Sequence, residues 1–183
     1  MPLQNNYNPN QQNNAQPGEK KNFNVSKFYG TDGLLTVRMW KSDNNVFYTS
    51  LQIKQMIGKD PNGRATYESG LSKEIPSVLL RADLARALYD LCKASRPETL
   101  NITLPTGRDG ELTITGANDG VTVSIKNTIG TRTTKIPATP FMDQNVHSAW
   151  NNFLWVLGAC IRKSIFNRAD DEIVEASSDT TPF

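Results

Sequence analysis

Cationic and aromatic side chains at alternating positions of short strand-like segments are this chain's best candidates for chemistry. That chemistry is non-covalent: cations meet phosphates, and flat rings meet unpaired bases, each of which offers a π-face worth about 1–3 kcal/mol of stacking. Leu34 to Lys41 alternates Leu35, Val37 and Met39 on one side with Thr36, Arg38 and Trp40 on the other. Val46 to Ile57 puts Phe47, Leu51, Ile53 and Ile57 on one face and Tyr48, Ser50, Gln52 and Lys54 on the opposite one. A turn through Asp43-Asn44-Asn45 sets Arg38 and Trp40 beside Tyr48 and Ser50. Arg64, Tyr67 and Lys73 on a third strand extend this surface, and Lys126, Arg132 and Lys135 offer an equivalent track on a second sheet. The combination implies sequence-tolerant binding of a single-stranded polynucleotide. Specific base readout is not implied, because there is no helix-turn-helix, no zinc ligand set and no basic helix for a major groove.

Covalent chemistry finds little support. None of the patterns GxxxxGK[ST], GxSxG or HExxH occurs, and the single histidine, His147, leaves few options for acid–base work. Asp109-Gly110-Glu111 and Asp119-Gly120 are turn sequences, where Asp and Gly serve the backbone. Cys92 and Cys160 each fall in an amphipathic helical segment and read as buried thiols in a reducing compartment. No catalysis, cofactor or metal is expected.

Charge is unevenly distributed. Of the 183 residues, the last 14 hold Asp170, Asp171, Glu172, Glu175 and Asp179 with no Lys or Arg, so the rest carries all 20 basic groups against 13 acidic ones, a net of +7. A basic body joined to an acidic end is a signature of nucleic-acid interaction, since body and phosphates attract while the acidic end competes.

The elements that must position these residues follow from periodicity. Residues 1–22, rich in Asn and Gln, have almost nothing apolar to bury and are expected to be a disordered leader. Residues 23–168 form the binding domain, and 169–183 a flexible acidic C-terminal tail. Within the domain, strands run over Leu34–Lys41, Val46–Ile57, Arg64–Ile75 and Ser77–Leu80, followed by a helix over Asp83–Ala94 with Leu84, Ala87, Leu88 and Leu91 as its buried stripe. Strands at Leu100–Leu104, Glu111–Thr115, Val121–Ile125 and Arg132–Ile136 then precede a helix over Val146–Phe166. Arg162, Lys163 and Arg168 read as flanking solubility charges or as charges complementing the dipole at that helix's C-terminus. The fold class is α+β: two antiparallel four-stranded sheets packed at a steep angle, each followed by a helix, so ββββα twice.

That order of elements, over about Phe23 to Phe166, resembles the Whirly family and the transcriptional-coactivator-like superfamily of single-stranded DNA binders. The resemblance implies two steeply crossed sheets and assembly of subunits through the helices, hence a homo-oligomer. The segment Ser50-Leu51-Gln52-Ile53-Lys54 stands where the Whirly family carries Lys-Gly-Lys-Ala. The C-terminus resembles that of bacterial and phage single-stranded DNA-binding proteins, which close on an acidic segment with apolar last residues. Asp170, Asp171, Glu172, Glu175 and Asp179 lead here to Pro182-Phe183, which implies recruitment of replication or recombination proteins through the terminal ring and its flanking acids.

Two rival expectations remain. An oligonucleotide-binding β-barrel keeps the function on another fold, and a structural or scaffold oligomer removes nucleic-acid binding altogether. No stretch reaches the roughly 20 apolar residues of a membrane span, and no secretory pattern opens the chain, so the cytoplasm of a bacterial or phage-infected cell is the expected location.

Overall fold

The computed structural model describes residues 23–42, 46–69, 74–107 and 109–178, with side chains described between 26 and 163 apart from positions 40 and 41. It is an α+β chain of antiparallel sheets and two helices. Lys73, Asp179, Pro182 and Phe183, together with the leader 1–22, lie outside the described residues.

The first sheet has five strands: β1 (Phe23–Tyr29), β2 (Gly33–Lys41), β3 (Phe47–Lys59), β4 (Ala65–Tyr67) and β5 (Ser77–Arg81). β3 is its centre. One edge of β3 pairs with β2 and, beyond it, β1; β5 pairs with β3 over Tyr48–Gln52 and β4 over Met56–Lys59. Four strands were expected; the fifth is β1, and one of the expected four is shorter than anticipated. Phe23–Tyr29 is a strand of its own, and of the strand expected over Arg64–Ile75 the described residues form strand only at Ala65–Tyr67, with 70–73 outside the described residues. Beyond Tyr67, the Glu68 N–H still donates to the Gln55 carbonyl at 2.9 Å, while the Gln55 N–H turns to the Glu68 carboxylate at 3.1 Å. The β3–β4 register also shifts between Met56 and Gly58, so Ile57, expected in the core, is 69% exposed.

The second sheet is the expected meander, β6 (Asn101–Thr106), β7 (Gly110–Ala117), β8 (Gly120–Asn127) and β9 (Gly130–Pro137), hydrogen-bonded in chain order. Leu112, Ile114, Val121, Val123, Ile125 and Ile136 alternate inward and are buried. An unexpected hairpin follows, β10 (Thr139–Phe141) and β11 (Gln144–Val146), exposed throughout. Its turn residues Met142 and Asp143 have φ of 47° and 62°, a two-residue turn with left-handed backbone at both positions.

Helix α1 (Ala82–Ala94) buries Ala85, Leu88 and Cys92. The stripe expected from Leu84, Ala87, Leu88 and Leu91 is rotated: Leu84 is partly buried against the core, whereas Ala87 and Leu91 are exposed. Helix α2 (Ser148–Ser178) buries Trp150, Phe153, Leu157 and Ile161 at i, i+3 and i+4 spacing. Phe153 meets Phe28 of β1 edge to face with centroids 5.7 Å apart, and stacks on Trp150 at 5.1 Å. Expected to end at Phe166, α2 instead continues to Ser178, so Asp170, Asp171, Glu172 and Glu175 lie on helical backbone rather than in an irregular tail. No Gly or Pro interrupts the chain between Gly158 and Pro182, and Ala169, Glu172 and Ala176 tolerate a helix well.

β2, β3 and β5 pack against the second sheet, and both helices close the same core. Leu35, Val37, Leu51 and Ile53 face Leu112, Ile114, Val123 and Ile125 within one contiguous cluster that includes Leu88 and Phe153. Each such side chain contributes about 1.5–3 kcal/mol by leaving water. The β1–β2 turn rests on β9, where the Thr31 N–H donates to the Lys135 carbonyl at 2.9 Å and the Thr134 hydroxyl to the Gly33 carbonyl at 3.2 Å. Gly30 permits this approach, since a Cβ there would collide with Thr134 and the Lys135 carbonyl.

Candidate nucleic-acid interface

With Leu51 and Ile53 committed to the core, strand alternation turns Ser50, Gln52 and Lys54 to the opposite face of β3. The registers carry that face across the sheet. Trp40 pairs with Tyr48, Arg38 with Ser50, and Thr36 with Gln52, as the sequence pattern anticipates. β1 adds Lys27 opposite Thr36 and Tyr29 opposite Leu34, and β5 adds Arg81 opposite Tyr48.

The centre of this face is polar and closed to water: Thr36, Ser50 and Gln52 are 3–8% exposed, and the Thr36 hydroxyl donates to the Gln52 carbonyl at 3.2 Å. Around it, Arg38, Tyr48 and Lys54 are half-buried, while Lys27, Tyr29 and Arg81 are exposed. The Tyr29 ring lies 6.1 Å from that of Tyr67, joining β4 to the surface. Burial, followed by the charge-repelling effect of Tyr29, raises the Tyr67 phenol above its ordinary value, so it stays a neutral donor at physiological pH.

Among the described residues of this face there is no carboxylate. Arg81 meets Asp83 of α1 at 3.8 Å, but both side chains are mostly exposed and such pairs are weak. The face therefore combines positive charge with aromatic rings over a hydrogen-bonded antiparallel sheet.

The other predicted residues are placed differently. Arg64 is exposed at the end of the β3–β4 loop, where its N–H donates to the Asp60 carboxylate at 2.8 Å. On the second sheet, Lys126 and Lys135 share the outer face with Thr122, Ser124 and Thr133, a surface with no ring among its described residues. Arg132 does not join them. Its register partner is the buried Ile125, and its guanidinium is directed between the sheets to Glu68, at 3.3 and 3.4 Å. Burial pushes the Glu68 carboxyl upward, but the Gln55 N–H, the Arg132 bonds and charge, and the charge of Lys54 together hold it below its ordinary value. Lys135 is held by Asp119, and the hydrogen bond from that ammonium leads the influences that lower the Asp119 carboxyl.

Sequence reasoning missed Lys27, Tyr29 and Arg81. The first two carried a signal, because Ser26 and Phe28 alternate with them along Phe23–Tyr29. Arg81 sits at the β5–α1 junction and carried none.

Among the described residues no group of His, Cys, Asp or Glu side chains could hold a metal ion, and no helix is long and apolar enough to cross a membrane. Burial lifts the Cys92 thiol to about 12 and raises Cys160 as well, against the charge of Lys163, so neither is a ready nucleophile. Fold and surface together define an α+β domain with one basic, ring-bearing sheet face. Comparison of the chain with models of known families, with curated proteins and with solved structures found no match.

Proposed function

We propose that the outer face of the first sheet binds single-stranded DNA without sequence preference, protecting it during replication, recombination or repair. The observation that carries this reading is the register itself. It gathers Lys27, Arg38, Lys54 and Arg81 with Tyr29, Tyr48 and Tyr67 on one face free of carboxylates among its described residues. Cations at strand spacing suit successive phosphates, while rings standing on a sheet suit bases that are already unstacked. A duplex hides its bases from such a surface and offers only its backbone.

In this reading the two sheets cross steeply in a Whirly-like arrangement, and the C-terminal acids with Pro182-Phe183 recruit replication or recombination proteins. The fold also leaves room for a likeness to oligonucleotide-binding barrels, whose sheets likewise present rings and cations to single strands.

Fluorescence anisotropy with labelled oligo(dT) tests the proposal. The wild-type chain should bind, and Arg38→Glu with Lys54→Glu should weaken binding by about a hundredfold or more, since each reversal replaces attraction by repulsion. Unchanged affinity in a folded double variant would refute the assignment of the face.

A further inference from the structure

Arg86 and Lys93 of α1 and Arg162 of α2 line a cavity of about 270 Å³ between the helices, walled also by Tyr89, Gly158 and Ile161. Among the described residues Asp90 is the only carboxylate in that lining; Arg86 meets it at 3.4 Å, and none pairs with Lys93 or Arg162. The groove therefore carries a surplus of positive charge, which is unfavourable unless an anion answers it. A helix-end dipole does not account for Arg162, because α2 continues about four turns beyond it to Ser178. Gly158 shapes the groove: a Cβ there would press to 3.1 Å from the Tyr89 ring, so its absence lets that ring lie against α2. Two turns before Arg162 on the same helix, the Trp155 side chain is 70% exposed.

We propose that a single-stranded polynucleotide crossing the first sheet continues into this groove, where Arg86, Lys93 and Arg162 take its phosphates and Trp155 stacks on one of its bases. The inference extends the single-strand binding proposed above and rests on it. Arg81, opposite Tyr48 in the sheet register, is the residue immediately before α1, and Arg86 follows just over one turn into the helix, so the groove opens where the sheet surface ends. From Arg86 to Lys93 the cations of α1 span about 10 Å of its axis, and Arg162 joins them from α2. Seven residues apart, Trp155 and Arg162 share one face of α2, which sets an indole beside the cations. A free phosphate would answer the charge and leave that indole in water. An acidic peptide would answer it too, but gives no reason for the link through Arg81 to the sheet. A nucleotide chain alternates anion and ring, as the groove and Trp155 do.

The test titrates the full chain with an oligo(dT) of about 30 nucleotides, longer than the roughly 4–16 that one single-strand-binding module covers, and reads anisotropy and tryptophan emission across a salt series. Lys93→Ala and Arg162→Ala should each lower the slope of log K against log salt by about 0.7. Trp155→Ala should weaken binding about tenfold or more, Trp155→Phe should keep most of the affinity, and both should lose part of the quenching that the wild type shows on binding. All three positions are exposed, so circular dichroism should show the folded chain in every variant. Wild-type slope and affinity in all of these variants, with Arg38→Glu and Lys54→Glu still weakening binding, would overturn the groove and leave the sheet surface standing. Loss in the groove variants with Arg38→Glu and Lys54→Glu silent would do the reverse. Two further arms separate the source of the anion: quenching of Trp155 by dTMP or by a poly-glutamate peptide as strong as that by oligo(dT), at equal charge, would overturn the assignment to a polynucleotide.

Discussion

Tyr48 of β3 and Arg81 of β5 stand directly opposite each other across the first sheet, with Trp40 of β2 paired to Tyr48 on its other side. An aromatic ring on the central strand is thus bracketed by a cation and a second aromatic position. Replacing a stacking ring by alanine should cost about 1–3 kcal/mol of binding, roughly ten- to a hundredfold in affinity. Tyr48→Ala and Tyr29→Ala are therefore expected to weaken oligo(dT) binding by that amount in a fluorescence titration. Tyr29 is 61% exposed, so its variant should melt close to the wild type.

Cations on the same face should be visible in the salt dependence. Removal of one phosphate contact lowers the slope of log K against log salt by about 0.7 for a single strand. Arg38→Ala and Lys54→Ala should each show a reduction of this size. Lys126→Ala, on the ring-free second sheet, should leave the slope unchanged, and an equal loss there would move the binding path to that sheet.

Arg132 separates stability from binding. Its guanidinium bridges β9 to Glu68 at the edge of the first sheet, so Arg132→Ala should lower the melting temperature and leave the salt slope intact. Because the folded state holds the Glu68 carboxyl below its ordinary 4.5, its contribution is complete above that pH and is lost as pH falls from there through the folded value. Thermal melts of wild type and Arg132→Ala should accordingly differ most near neutrality and converge under acid. A constant difference down to the lowest pH would contradict the pairing.

Core alternation was readable because burial on one side of a strand forces period two, and Leu35, Val37, Leu51 and Ile53 sit where that period places them. The Trp40–Tyr48 register followed from turn length. What escaped was decided by contacts distant in sequence or by missing punctuation. Arg132 looked like an outward cation until the packing of the sheets brought Glu68 to it, 64 residues away in sequence. The β10–β11 turn uses Met142-Asp143 rather than Asn-Gly, so nothing marked it. α2 ran past Phe166 because an acidic composition suggests a loose end, whereas the backbone needs only the absence of a breaker.

Thiol chemistry offers an independent check on the core. Cys92 is fully buried with its thiol raised to about 12, and Cys160 is partly accessible. A neutral-pH disulfide reagent should leave Cys92 unmodified in the native chain and modify it once urea unfolds the protein, with Cys160 the faster of the two. Rapid labelling of both in native buffer would contradict the packing of α1 on the sheets.

The most direct measurement compares one labelled oligo(dT) with a duplex of equal length, titrated with the full chain from low to moderate salt. Preference for the single strand at every salt concentration, with affinity falling steeply as salt rises, is the predicted result. Equal affinity for both forms, or no binding even at the lowest salt, would contradict the role assigned to Arg38, Tyr48, Lys54 and their neighbours.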